Sequence, residues 1–133
     1  FLTSMTREII KDIEDIRGDI RLGCRTLPIV IGVYPAKIIA LVFTFLTIIS
    51  IIFAYFFYIS SLNFIGNDKI SIYYIFMLII ILLFSVIMII KASKTHHYKR
   101  ISLIIKVIMF LGIAYSAIFY FLINNNLDFL MNA

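Results

Sequence analysis

The sequence predicts an all-α protein, a polytopic bundle of transmembrane helices preceded by an acidic segment. Hydrophobic residues make up 63% of the 133 residues, only 14% are charged, and the mean hydropathy is +1.10. About half of the residues of a soluble domain are apolar, so this composition indicates a membrane protein. Three apolar stretches reach the roughly 20 residues that a helix needs to cross the hydrocarbon core. These predicted spans are 36–58, 72–90 and 101–123.

The segment before the first span, 7–34, begins with a helix that carries four carboxylates on one face. Glu8, Asp12, Asp15 and Asp19 are spaced four, three and four residues apart, which places them within roughly 60° of one another. Like charges at these spacings destabilise a helix by about 0.2–0.5 kcal/mol per pair. A divalent cation would relieve the repulsion, and Mg²⁺ takes one or two carboxylates together with water and substrate phosphates. The stripe therefore predicts bound Mg²⁺ and a diphosphate substrate.

The ends of the first helices are predicted from glycine and proline. Residues 1–5 read as the last turn of an apolar helix that continues into the acidic helix. We expect an interruption at Gly18, where helix propensity falls by about 1 kcal/mol relative to alanine, and a helix end at Gly23. A turn is expected just before Pro28, whose ring disfavours helical geometry in the preceding residue. Pro35 is expected at the first position of the first span.

The positive charges predict the orientation in the membrane. Six basic residues precede or begin the first span, the loop 91–100 contains four, the loop between the first two spans contains one, and the tail after 123 contains none. By the positive-inside rule, the acidic segment and the loop 91–100 face the cytoplasm and the C-terminus lies outside. The expected location is the cell membrane, with several spans.

Two lysines, Lys37 and Lys106, lie within the predicted spans. Each lies near the end of its span, and we interpret both as anchors whose ammonium groups reach the lipid headgroups. The remaining basic residues are distributed by loop and do not form a patch that fits a nucleic-acid groove. The net charge of +5 therefore does not predict a nucleic-acid partner.

The string 7–32, REIIKDIEDIRGDIRLGCRTLPIVIG, resembles the second aspartate-rich motif of the UbiA-type intramembrane prenyltransferases. It is most similar to the branch that makes archaeal-type ether lipids. The shared order is REIxKDIED, then GD, then G-x-R-T-L-P-I. The resemblance implies a nine-helix fold of which 1–133 is the C-terminal part with the last three spans. It also implies a missing N-terminal half that holds the first aspartate-rich motif.

The resemblance implies an enzyme that transfers a prenyl group, geranylgeranyl in this branch, from its diphosphate to an acceptor in the membrane. The acceptor implied is a prenylated glycerol phosphate in ether-lipid synthesis, and the cofactor implied is Mg²⁺. The catalytic, metal-binding pair is matched by Asp15 and Asp19, and the acids before it by Asp12 and Glu8. The basic positions that would bind the diphosphate are matched by Arg7, Lys11 and Arg25.

Other functions remain open from the sequence. Prenyltransferases with aromatic acceptors, of the quinone, tocopherol or chlorophyll type, share the aspartate spacing, so the acceptor could be a lipid or an aromatic compound. A transporter whose acidic stripe binds a cation is a different class, but its acids are expected inside a span. A noncatalytic membrane anchor is a third interpretation, and the like-charge stripe disfavours it. In the enzyme interpretation, the 133 residues alone are expected to be inactive.

Overall fold

The computed structural model describes residues 1–59 and 69–131, and this part of the chain contains helices but no strand. Three helices contain stretches that are long and apolar enough to cross a membrane, which confirms the predicted fold class. A π-helical turn, Tyr55–Ile59, extends the first of the three. The α-helices are α1 (Leu2–Arg21), α2 (Leu27–Ile31), α3 (Val33–Ala54), α4 (Lys69–Lys91) and α5 (Thr95–Met131).

The helix α1 packs against α3 and α5 through one apolar face. Its buried residues, Thr6, Ile9, Ile10 and Ile13, recur at intervals of three or four residues and therefore lie on one side of the helix. The same buried cluster contains Ala36 from the start of α3, together with residues from the end of α4 and the start of α5. The last two turns of α1 consequently lie at the end of the bundle where α3 begins.

The interruption expected at Gly18 is wrong, because α1 runs through this residue to Arg21. A glycine costs a helix about 1 kcal/mol, and packing of the apolar face offsets a penalty of this size. The end expected at Gly23 is confirmed. Gly23 has a φ of 70°, and its N–H donates to the carbonyl of Ile20 at 3.3 Å while the Cys24 N–H donates to that of Asp19 at 2.9 Å. This pair of bonds is a Schellman motif.

Both proline predictions differ from the structure by a turn or less. The segment expected to turn before Pro28 instead forms the one-and-a-half-turn helix α2, with Pro28 in its first turn. Proline is tolerated there because the N–H that it lacks would have no partner within the helix. Pro35 lies at the third position of α3, since that helix already begins at Val33 after Gly32, whose φ is 95°.

The basic loop predicted at 91–100 is much shorter in the structure. Only Ala92, Ser93 and Lys94 separate α4 from α5, and His96 to Arg100 lie in the first turns of α5. Hydropathy alone set the predicted start of the third span, and it does not detect a polar helical turn that continues an apolar helix. The C-terminal residues 132–133, predicted to face outward, lie outside the described residues.

Labelling of single cysteines tests the predicted orientation. In a Cys24→Ser background, a cysteine at Lys94 is expected to resist a membrane-impermeant thiol reagent in intact cells, whereas a cysteine at Asp128 is expected to react. The reason is that the third predicted span separates the two positions, and the basic turn before it is expected in the cytoplasm. Permeabilised cells provide the control, in which both cysteines should react. Reaction of both cysteines in intact cells would contradict the predicted topology.

Candidate functional site

The four predicted carboxylates form an acidic face on α1, defined by Glu8, Asp12, Asp15 and Asp19. Helical geometry places this face on the side of α1 away from its buried residues, so the packing that fixes α1 leaves the acids free of the core. Glu8 and Asp15 are exposed, and Asp12 and Asp19 are partly buried. The acidic face therefore lies on a helix held by α3 and α5 and is open to other groups.

Two of the basic residues predicted to bind diphosphate pair with carboxylates in the structure. Arg7 Nη1 donates to Glu8 Oε1 at 2.6 Å, and Lys11 Nζ donates to Asp15 Oδ2 at 2.7 Å. The hydrogen bond to Asp15 raises the pKa of Lys11, which keeps its ammonium group charged. Such exposed pairs are worth about 0–1 kcal/mol, so an arriving phosphate can replace the carboxylate as partner.

A second acid, Glu14, also contacts Lys11, and it was not identified from the sequence. Glu14 Oε2 lies 3.7 Å from Lys11 Nζ, and the Glu14 side chain is only 15% exposed. The spacing of three residues between the two positions was the available signal. Glu14 lies off the acidic face and adds a second, longer ion pair to Lys11.

The strongest electrostatic conflict on the acidic face lies at Asp12. Burial raises the pKa of the Asp12 carboxyl, and the neighbouring charges of Asp19, Glu8 and Asp15 raise it further. Neither Asp12 nor Asp19 forms an ion pair with any described residue. A divalent cation would relieve this conflict, and carboxylate oxygens are the ligands that Mg²⁺ prefers. The donor set therefore fits Mg²⁺.

The described residues do not by themselves complete a metal site. Among residues 1–59 and 69–131, no group of three or more His, Cys, Asp or Glu side chains lies close enough together to hold a metal ion. A Mg²⁺ ion commonly takes one or two protein carboxylates and fills its remaining positions with water and phosphate oxygens. The roles of Asp15 and Asp19 as ligands stay predictions.

The third basic residue predicted to bind diphosphate, Arg25, lies in the connection between α1 and α2. Its side chain is exposed, and it forms no ion pair within the described part of the chain. A guanidinium group binds a phosphate through two parallel hydrogen bonds. Arg25 can therefore contribute a charge that no carboxylate has neutralised.

Replacing Asp12 with asparagine is expected to stabilise the protein at neutral pH. The folded pKa of Asp12 is raised, so its ionised form disfavours the fold above that pKa, and the effect disappears below the unfolded value near 3.9. Removal of each like-charge pair contributes about 0.2–0.5 kcal/mol. Thermal unfolding in detergent without Mg²⁺ should show a higher midpoint at pH 7 and no difference at about pH 3.

The matched control is Asp15→Asn, which removes a carboxylate that is paired with Lys11. This substitution should give little or no stabilisation at pH 7, because it removes an attraction together with the repulsion. A lower midpoint for Asp12→Asn at pH 7 would contradict the electrostatic interpretation of the acidic face.

The chain is similar to curated proteins named digeranylgeranylglyceryl phosphate synthase. It is 62% identical to the Pyrococcus furiosus protein and 64% identical to the Pyrococcus horikoshii protein, in each case over 50 residues. These matches cover 38% of this chain and 18% of each relative. The Haloquadratum walsbyi protein is 64% identical over 39 residues, which are 29% of this chain and 14% of that relative.

The aligned part of this chain thus spans less than a fifth of the length of the relatives that it matches. No protein-family model matches the chain, and no solved structure matches it. The similarity to the ether-lipid branch that the acidic motif indicates is nevertheless confirmed by several relatives with the same name. Over the aligned segment, the chain is similar to several digeranylgeranylglyceryl phosphate synthases.

Proposed function

We propose that the protein containing these residues transfers a geranylgeranyl group from its diphosphate to a prenylated glycerol phosphate in the membrane. The observation that carries the proposal is the acidic face of α1, which carries uncompensated charge at Asp12 at the end of an apolar bundle. The names of the homologues support both the reaction type and the acceptor class. The enzyme acts within the membrane because its donor and acceptor are both lipids.

The residues of the chain have separate tasks in this reaction. Asp15 and Asp19 would hold Mg²⁺, with Asp12 and Glu8 beside them. Bound Mg²⁺ would neutralise charge on the diphosphate and so make it a better leaving group. Arg7 and Lys11 exchange their carboxylate partners for diphosphate oxygens, and Arg25 adds a further positive charge. The apolar spans of α3, α4 and α5 provide the surface along which the prenyl chain lies.

A transporter function has less support. The three stretches that could cross a membrane, Val33–Phe57, Ser71–Lys91 and Thr95–Phe121, contain no Asp or Glu. A cation that crosses the bilayer commonly needs acidic groups within the membrane. The acids of this chain are instead concentrated on α1, at one end of the bundle. The diphosphate head group of a lipid donor can approach them there.

An assay with several acceptors tests the proposed function. The purified full-length protein is incubated with geranylgeranyl diphosphate, Mg²⁺ and either geranylgeranylglyceryl phosphate or an aromatic quinone precursor, and the products are identified by mass. We expect Mg²⁺-dependent addition of one geranylgeranyl group to the glycerol phosphate lipid. Transfer to the aromatic acceptor alone would replace the proposed acceptor class, and no transfer to any acceptor would contradict the proposed reaction.

A further inference from the structure

The two lysines of the apolar spans differ in their contacts. Lys37, in the second turn of α3, donates from Nζ to the carbonyl oxygen of Ile90 at 3.2 Å and to that of Ala92 at 2.8 Å. Lys106 is exposed on α5 and has no hydrogen bond or ion pair with any described residue. From their positions in the sequence, both lysines are interpreted as anchors to the headgroups. In the structure, only Lys37 bonds to another helix end.

Of the two carbonyl groups that Lys37 contacts, that of Ile90 lies in the last turn of α4 and that of Ala92 directly follows the last residue of this helix. The last four carbonyls of a helix have no partner within the helix and need a donor from outside it. The ammonium group satisfies two carbonyls at this end and also opposes the negative end of the helix dipole. Lys37 thus caps α4 from a position 53 residues earlier in the chain.

A second donor meets the same oxygen atom. The Tyr98 hydroxyl, from the first turn of α5, donates to the Ala92 carbonyl oxygen at 3.2 Å. Lys37, Ala92 and Tyr98 form what we call the carbonyl clamp, which joins the start of α3, the end of α4 and the start of α5. Because Lys37 and Tyr98 share one acceptor, both bonds depend on the position of one peptide group.

The carbonyl clamp lies directly beside the buried face of α1. Ala92 and Tyr98 belong to the same buried cluster as Ile9, Ile10 and Ile13. These isoleucines anchor the segment of α1 that carries the acidic face. The carbonyl clamp holds together the three helix ends that form the surface under α1. The orientation of the acidic face therefore depends on this surface.

We propose that Lys37 is a positioning residue for the acidic face: by capping α4 it fixes the surface on which α1 rests and so sets the placement of the carboxylates. The functional half of this inference rests on the proposed function. The structural half, that Lys37 holds the helix ends, does not. The two halves can therefore be tested by separate measurements on the same variants.

The structural measurement is the distance distribution between two spin labels. Labels replace Arg17 on α1 and Ile87 on α4 in the full-length protein in lipid vesicles, with Cys24→Ser as background; both labelled side chains are exposed. Lys37→Met is expected to broaden the distribution, and Lys37→Arg, which keeps donors for both carbonyls, is expected to restore it. Lys106→Met removes a span lysine that caps nothing and should leave the distribution unchanged.

The functional measurement is the Mg²⁺ concentration that gives half-maximal prenyl transfer. We expect Lys37→Met to raise this concentration roughly tenfold, as for residues that orient metal ligands without touching the metal, with a smaller loss of kcat. Lys37→Arg should recover most of the Mg²⁺ response, and Tyr98→Phe should give a weaker effect in the same direction. Lys106→Met should behave like the wild type.

Three results would overturn the proposal. The first is an unchanged distance distribution in Lys37→Met, and the second is an equal effect from Lys106→Met, which would restore the anchor interpretation of both lysines. The third is a broadened distribution with an unchanged Mg²⁺ response, which would make Lys37 a structural cap only. An inactive wild type would contradict the proposed function instead, and the distances would still decide whether Lys37 holds the helix ends.

Discussion

Replacing Asp19 with asparagine is expected to lower prenyl transfer by the full-length protein roughly a hundredfold or more, since a direct ligand should cost at least as much as a group that only orients one. Asparagine keeps the shape and the hydrogen-bonding oxygen but removes the charge. The Asp19 carbonyl accepts the bond that ends α1, and this backbone bond survives the substitution. The loss should therefore reflect metal binding and not a displaced helix end.

Asp15→Asn is expected to lower prenyl transfer by a similar factor, and it also changes the ion pair of Lys11. Asp15 pairs with Lys11 at 2.7 Å, so Asp15→Asn removes the nearest charge partner of this ammonium group as well as a proposed Mg²⁺ ligand. For both variants, the initial rate of prenyl transfer is measured over a range of Mg²⁺ concentrations. Protease protection verifies that each variant inserts into the membrane.

The matched control is Glu14→Gln on the same helix. Glu14 is an acid of α1 that lies off the acidic face. Its loss should reduce transfer only a few-fold, because it removes a long contact of 3.7 Å while Lys11 keeps Asp15 as its partner at 2.7 Å. Near wild-type rates for Asp15→Asn and Asp19→Asn would exclude both residues as metal ligands. An equally large loss for Glu14→Gln would show that negative charge on α1, and not its acidic face, is what the reaction requires.

The sequence was informative where one pattern decides the structure. Apolar runs of about 20 residues determine that α3, α4 and α5 can cross a membrane, because a helix satisfies its backbone hydrogen bonds within its own segment in lipid. The three- and four-residue spacing of the carboxylates likewise determines that they share one face of α1, whatever the helix packs against. These features are local, and a single sequence contains all the information that they need.

Features that depend on tertiary contacts were harder to predict. The interruption expected at Gly18 did not occur because packing of residues such as Ile9 and Ile13 offsets a local penalty of about 1 kcal/mol. The cap that Lys37 provides depends on where α4 ends in space, 53 residues away in the chain. The pairing of Lys11 with Asp15 was different, since its i, i+4 spacing was visible in the sequence and was interpreted only as a diphosphate-binding charge.

The 133-residue chain by itself is expected to catalyse no measurable prenyl transfer. The acidic face lies away from the residues that pack α1 onto the bundle, and no three potential ligands come together among the described residues. A Mg²⁺ ion held by so few carboxylates retains most of its water, and an open site does not exclude water from the diphosphate. We therefore expect the site to need opposing groups from outside these 133 residues.

Co-expression with the remaining part of the full-length polypeptide is expected to restore Mg²⁺-dependent transfer, because membrane helices that fold separately can assemble by packing in the bilayer. The measurement is product formation from geranylgeranyl diphosphate in vesicles that contain the 133 residues, the remaining part, or both. The same vesicles prepared with Asp19→Asn control for host enzymes, whose activity the substitution would not affect. The contradicting result would be prenyl transfer by the 133 residues alone that is lost in Asp19→Asn. It would show that the acidic face is active without opposing groups from the remaining part of the polypeptide.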